Sequence, residues 1–145
     1  MIILAYKILL PFDGSKCSLK AAEYVAQLMS SDKQVSCTAI FVMPFTRDMA
    51  KFLGMYDDEY DSRFRELTGS IEEKVIHIFR NKGLNVEILY REGDPVKVIC
   101  NLAKQHDYSE IIMGSRGDTG FKKVINGNIS QVVARKAICP VKIIM

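Results

Sequence analysis

Two glycine clusters carry the residues best suited to bind an anion. Gly114-Ser115-Arg116-Gly117 follows the apolar run Ile111-Ile112-Met113, and Gly127-Asn128-Ile129-Ser130 comes ten residues later, where an amphipathic pattern begins. Glycines let backbone N–H groups come close to an anion. A helix N-terminus adds unpaired donors and the positive end of a dipole. Glycines, hydroxyls and a basic residue set between a strand and a helix are what a nucleotide phosphate group requires. Arg116 could offer it paired donors, and Asn128 and Ser130 could add side-chain polar atoms. Asp13 can accept from the exocyclic amine of adenine or from a ribose hydroxyl. Each position has a plainer reading. Gly114 and Gly117 could form a tight turn, and Asn128 and Ser130 could cap a helix. Asp13 could cap the first helix, since Asp-Gly-Ser is a common turn.

Strands and helices must alternate to position these loops. Residues 5–11, 34–42, 85–90, 109–113 and 141–145 read as strands, because each is a short, mostly apolar run. Helical spacing of apolar residues predicts helices over 15–31, 63–81 and 129–137. Asp94-Pro95 starts another, an N-cap acid followed by proline at the first helical position. Gly83 sits where a left-handed helix stop is expected. Residues 43–62 read as a mobile loop with at most a short helical turn, because Met43-Pro44-Phe45 breaks the pattern and acids cluster after it. The segment is also a candidate lid or partner surface, with Met43, Met49 and Met55 as adaptable contacts. Alternation of this kind predicts a parallel sheet covered on both faces. In such a sheet ligands sit beyond the carboxyl ends of strands, where the winding reverses. An order of 3-2-1-4-5 would set the loop of residues 11–15 against the one beginning at Gly114.

Composition narrows the classes. The chain has 145 residues, 48% hydrophobic and 26% charged, enough for one globular domain spanning 1–145. Its net charge of +3, from 20 basic and 17 acidic residues, does not suggest nucleic acid as a bulk partner. The positive excess falls on residues 115–136, where five bases meet one acid. Cys17, Cys37, Cys100 and Cys139 match no zinc pattern and read as buried thiols of a reducing, cytoplasmic compartment. No run is long enough to span a bilayer, so no membrane partner is expected. His77 is expected to be partly buried beside an apolar stripe, and His106 to lie in a polar turn. Neither a P-loop, a G-x-G-x-x-G motif nor a G-x-S-x-G elbow is present. No general base is placed near the expected phosphates, so catalysis would be at most a slow ATPase.

Gly114-x2-Gly117-x9-Gly127 resembles the nucleotide-binding signature of the universal stress protein family. Lys7-Ile8-Leu9-Leu10-Pro11-Phe12-Asp13-Gly14-Ser15 resembles that family's first strand and adenine-side loop. Ala137-Ile138-Cys139-Pro140-Val141 resembles its last turn and strand. The resemblance implies an adenine nucleotide alpha hydrolase-like fold, an open five-stranded parallel sheet ordered 3-2-1-4-5. It also implies ATP, with Mg2+ or Mn2+, at the point where the winding reverses. Asp13 and the backbone of Val42 would then hold adenine. Gly114, Arg116 and Gly117 would line ribose and phosphates, and Gly127, Asn128 and Ser130 would hold the phosphate tail. Pro11, Ser15, Met113 and Ile129 would complete the lining. A homodimer through Val141, Ile143 and Met145 is implied, as is a nucleotide-dependent switch acting on an unidentified protein partner. Asn128 departs from the Ser or Thr usual after the third glycine. The alternative is a dimeric interaction protein of the same fold that binds no nucleotide.

Overall fold

A computed structural model describes residues 5–115 and 129–145. Five strands, β1 (Tyr6–Pro11), β2 (Val35–Met43), β3 (Glu87–Glu92), β4 (Glu110–Gly114) and β5 (Val141–Ile144), form one parallel sheet. Its order is 3-2-1-4-5, as expected. Among the described residues five helices connect or flank them: α1 (Lys16–Ser31), α2 (Arg47–Phe52), α3 (Asp57–Arg80), α4 (Pro95–Gln105) and α5 (Ile129–Lys136).

The central strands bury both faces because successive side chains alternate across the sheet. Ile8, Leu10 and Phe12 of the β1 segment join Cys37, Ala39 and Phe41 of β2 in a core closed by α1 and α3 through Val25, Val75 and Phe79. Leu9, Ile40, Ile111 and Met113 face the other way. They meet Ile99, Leu102 and Ala103 of α4 and Val133 of α5. Burying one such aliphatic side chain contributes about 1.5–3 kcal/mol, so the two layers supply most of what holds the sheet.

The helix ends follow local chemistry. Ser15 caps α1, its hydroxyl accepting from the Ser18 N–H at 3.2 Å. Asp94 caps α4, accepting from Val96 N–H at 2.9 Å, with Pro95 in the first position. Gly83 takes φ +69° after α3, the left-handed stop expected there.

Residues 43–62 correct the loop reading. Thr46 caps α2 by accepting from Met49 N–H at 3.2 Å, and α3 already begins at Asp57. The acids read as loop-forming, Asp57, Asp58 and Glu59, occupy the first turn of α3, where they favour the positive end of its dipole. Tyr60, 4% exposed, extends the buried stripe of Ile71, Val75 and Phe79 towards the start of the helix. Met43 is not an adaptable surface residue; it is buried in the core with α1 and α3.

Candidate functional site at the mouth of the sheet

The site begins with an interruption in the middle of the sheet. β1 pairs with β2 as far as Pro11↔Ile40, and the Phe12 N–H then donates to the Ile40 carbonyl at 2.9 Å. Backbone groups alternate along a strand, so the nitrogen of Pro11 faces β4. Proline has no N–H to give. The β1–β4 ladder is limited to Ile8↔Glu110 and Leu9↔Ile111. On its other side β4 stays paired with β5 to Gly114↔Ile144, and Ser115 N–H donates to Ile144 at 2.9 Å. The two central strands therefore separate at their carboxyl ends while each remains bonded to its outer neighbour. Pro11 and Gly114 lie at that mouth, where the winding of the sheet reverses.

The helix N-termini pack against the mouth. A Cβ on Gly114 would lie 2.6 Å from the Cys17 carbonyl carbon and 2.7 Å from the Ser18 nitrogen. Those are backbone atoms of the first turn of α1, so the missing side chain at Gly114 is what lets helix and strand touch. Sequence reasoning tied this glycine to ligand approach or a tight turn and missed its contact with α1. Ser15 is 4% exposed and is the actual cap of α1. Asp13 is not the cap. Its Oδ1 accepts from Ser15 N–H at 2.9 Å, closing the turn around Gly14, which has φ +84°. Ser18 Oγ donates to the Ser15 carbonyl at 2.9 Å.

α5 is joined to the same point. Ser130 is 3% exposed, and its Oγ donates to the Ser115 carbonyl at 2.9 Å. The hydroxyl thus fastens the first turn of α5 to the end of β4. Ser115 Oγ donates to Cys17 Sγ at 3.5 Å, linking α1 as well. This binding role of Ser115 was not anticipated, although its place directly after the strand glycine was the available signal. Met113 buries its side chain in the α4–α5 core, with Ile129 packed half-buried at its edge. Val42 is half-buried in β2, opposite Arg91 of β3. The structure thus brings Pro11, Asp13, Ser15, Met113, Gly114, Ile129 and Ser130 to the ends of β1 and β4 and the helices beside them, with Val42 near the end of β2. Arg116, Gly117, Gly127 and Asn128 lie outside the described residues.

Apart from Cys17, the other reactive groups sit elsewhere. His77 is exposed rather than partly buried, and its Nε2 lies 3.1 Å from Asn81 Nδ2. His106 is exposed, and its carbonyl accepts from Lys7 Nζ at 2.6 Å. The four thiols are free; Cys37 is buried and the other three are intermediate. Burial pushes the Cys37, Cys100 and Cys139 thiols up, which suits packing more than nucleophilic work. Among the described residues no group of three or more His, Cys, Asp or Glu is placed to hold a metal. Among the described residues the buried Tyr90 hydroxyl has no hydrogen-bond partner; burial first, then the nearby Glu72, pushes its pKa up.

A parallel five-stranded sheet of this order, with helices packed on it, is also the fold of solved structures. The universal stress protein family model matches residues 6–144. The chain belongs to the universal stress protein family. Universal stress protein YxiE of Bacillus subtilis is 28% identical, covering 95% of this chain and 97% of that protein. The solved structure of MJ0577 from Methanocaldococcus jannaschii superposes with a TM-score of 0.76 at 23% identity, covering 97% and 96% of the two chains. A universal stress protein from Archaeoglobus fulgidus, solved in complex with dAMP, gives a TM-score of 0.69 at 18% identity, covering 99% of this chain and all of that one. Similarity at this level fixes the fold and the family.

Proposed function

We propose that this chain binds an adenine nucleotide, ATP in the working form, at the mouth between β1 and β4. The observation that carries the reading is the parting of the two central strands beyond Leu9↔Ile111, with the first turns of α1 and α5 set beside the gap. First-turn amides are donors without intrahelical partners, and they favour anions. That a relative of the same fold was solved with dAMP supports the same ligand class. The residues present suit such a ligand. Asp13 supplies a carboxylate on the adenine side. Gly114, Arg116 and Gly117 would line ribose and phosphates, and Gly127, Asn128 and Ser130 the phosphate tail. A bound Mg2+ or Mn2+ would neutralise part of the phosphate charge.

Nucleotide occupancy then changes partner choice in a homodimer formed through β5, the edge strand carrying Val141 and Ile143 and ending beside the 85%-exposed Met145. With no general base placed among the residues above, the chain works by binding, with ATP turnover at most slow. The setting is a cytoplasmic stress response. Calorimetric titration with ATP in magnesium buffer tests the reading, and absence of heat at about millimolar nucleotide removes it. Asp13→Asn keeps an acceptor for Ser15 N–H and discards the charge, so it should weaken binding in a folded protein.

Two hydrogen bonds favour the alternative of an interaction protein without nucleotide. The Ser130 proton is already given to Ser115, and Asp13 Oδ1 already holds Ser15 N–H. Chromatography of small molecules released from denatured protein separates the two readings.

A further inference from the structure

Large hydrophobic side chains stand exposed at seven described positions, and four of them fall between residues 49 and 56: Met49, Phe52, Leu53 and Tyr56. Phe52 is 90% exposed, Tyr56 75% and Leu53 72%. Scattered exposed apolar residues are ordinary, but a contiguous set marks a contact surface. Aromatic residues and methionine are the types enriched in protein interfaces.

The set is displayed on an anchored platform. Ala50, on the inner side of α2, is 1% exposed. Arg47 pairs with Asp57 at 3.3 Å and Asp61 at 2.6 Å, and its guanidinium lies 4.8 Å from the centre of the Tyr60 ring. The Tyr60 hydroxyl lies 2.8 Å from Glu92 Oε2 and 2.9 Å from the Phe45 carbonyl, which ties α3 to β3 and to the start of the platform. A surface already held in place loses little entropy when a partner covers it.

Its charge selects the partner. Residues 47–61 carry five acids and two bases in a chain that is net positive. Both bases, Arg47 and Lys51, are paired with Asp57 or Asp61. Asp48, Asp58 and Glu59 are exposed and have no ion-pair partner among the described residues. A negative rim repels nucleic acid and anionic bilayers. It also disfavours pairing with a second copy across a two-fold axis, where acids would meet acids. We propose that this platform docks a lysine- and arginine-bearing helix of a partner protein. The helix's apolar face covers Phe52, Leu53 and Tyr56, and its bases meet Asp48, Asp58 and Glu59. The surface acts independently of nucleotide at the mouth.

The test uses the full chain and a fluorescent synthetic helix built of leucine and lysine, with a leucine–glutamate helix of the same pattern beside it. The leucine–lysine helix should bind. Phe52→Ser with Leu53→Ser should weaken it at least about tenfold, as loss of two interface anchors does. Asp58→Lys with Glu59→Lys should weaken it about threefold to tenfold and flatten its salt dependence. Phe52 and Leu53 are exposed, so the melting temperature of the serine variant should stay near that of the unmodified chain, whereas the charge reversal removes acids from the first turn of α3 and should lower it modestly. Phe52→Glu alone serves if the double serine variant does not fold. Equal affinity for both helices, equal affinity before and after Phe52 is replaced, or no binding overturns the proposal. So does a concentration-dependent dimer in sedimentation that Phe52→Glu abolishes, since that assigns the patch to a second copy.

Discussion

The mouth between β1 and β4 and the platform after β2 both follow the carboxyl ends of strands, but they are built from opposite materials. At the mouth, backbone packs on backbone: Gly114 lies against the first turn of α1, and the buried hydroxyls of Ser15, Ser18 and Ser130 each hold a main-chain group. On the platform, ion pairs that are more than a third exposed carry much of the contact, with apolar side chains facing water. Close packing fixes shape and tolerates almost no change. Exposed pairs contribute little each and tolerate substitution, which leaves the outer surface free to vary in sequence. A ligand-binding cleft requires the first construction, and a surface whose partner can change requires the second.

Substitutions should separate the regions by size of effect. Gly114→Ala should cost most, at least about 2–3 kcal/mol in chemical denaturation, because the new methyl meets main-chain atoms that cannot swing away. A loss under about 0.5 kcal/mol would mean that α1 can shift freely. Ser130→Ala comes next, about 1–2 kcal/mol, since the half-buried Ser115 carbonyl loses its donor. If urea midpoints for Ser130→Ala and the unmodified chain coincide, α5 is not fastened there.

Platform changes should be smaller. Tyr60→Phe should cost about 0.5–1 kcal/mol at neutral pH, because Glu92 is exposed and water can replace the phenol. Burial, then Glu92, pushes the Tyr60 phenol above its ordinary 10. The folded state therefore holds the proton more tightly than the unfolded chain. The stabilisation is whole below about pH 10 and is lost as pH rises past that point. The stability advantage of the unmodified chain over Tyr60→Phe should shrink in alkaline denaturation; a growing advantage would reverse the sign. Arg47→Ala should have the smallest effect, a slight fall in melting temperature that disappears in high salt. A salt-independent fall would show that stacking on Tyr60, rather than charge, holds α2.

The sequence disclosed the mouth better than the platform, for a physical reason. Strand runs, the Asp94-Pro95 start and the Gly83 stop are local signals; alternation implied a parallel sheet, and its 3-2-1-4-5 order was implied by the resemblance. Which neighbour the nitrogen of Pro11 faces is not local; it depends on the Phe12–Ile40 bond across β2. The contact of Gly114 with Cys17 and Ser18 joins distant parts of the chain and leaves no mark in composition. The platform was misread because its acids have the composition of a loop. The helix they begin is held by contacts distant in sequence, of the buried Tyr60 with Glu92 and Phe45. Four of the six expected ribose and phosphate contacts, at Arg116, Gly117, Gly127 and Asn128, fall outside the described residues.

The ring of Pro11 also bears on how deuterium should enter this sheet. Amide protons of a parallel sheet ordinarily exchange first at its rims and last at its centre. Here the innermost seam is already unfastened at one end, while Phe12 N–H stays committed to Ile40. Exchange should advance from the centre of the carboxyl edge outwards, and whatever fills that opening should slow it there first.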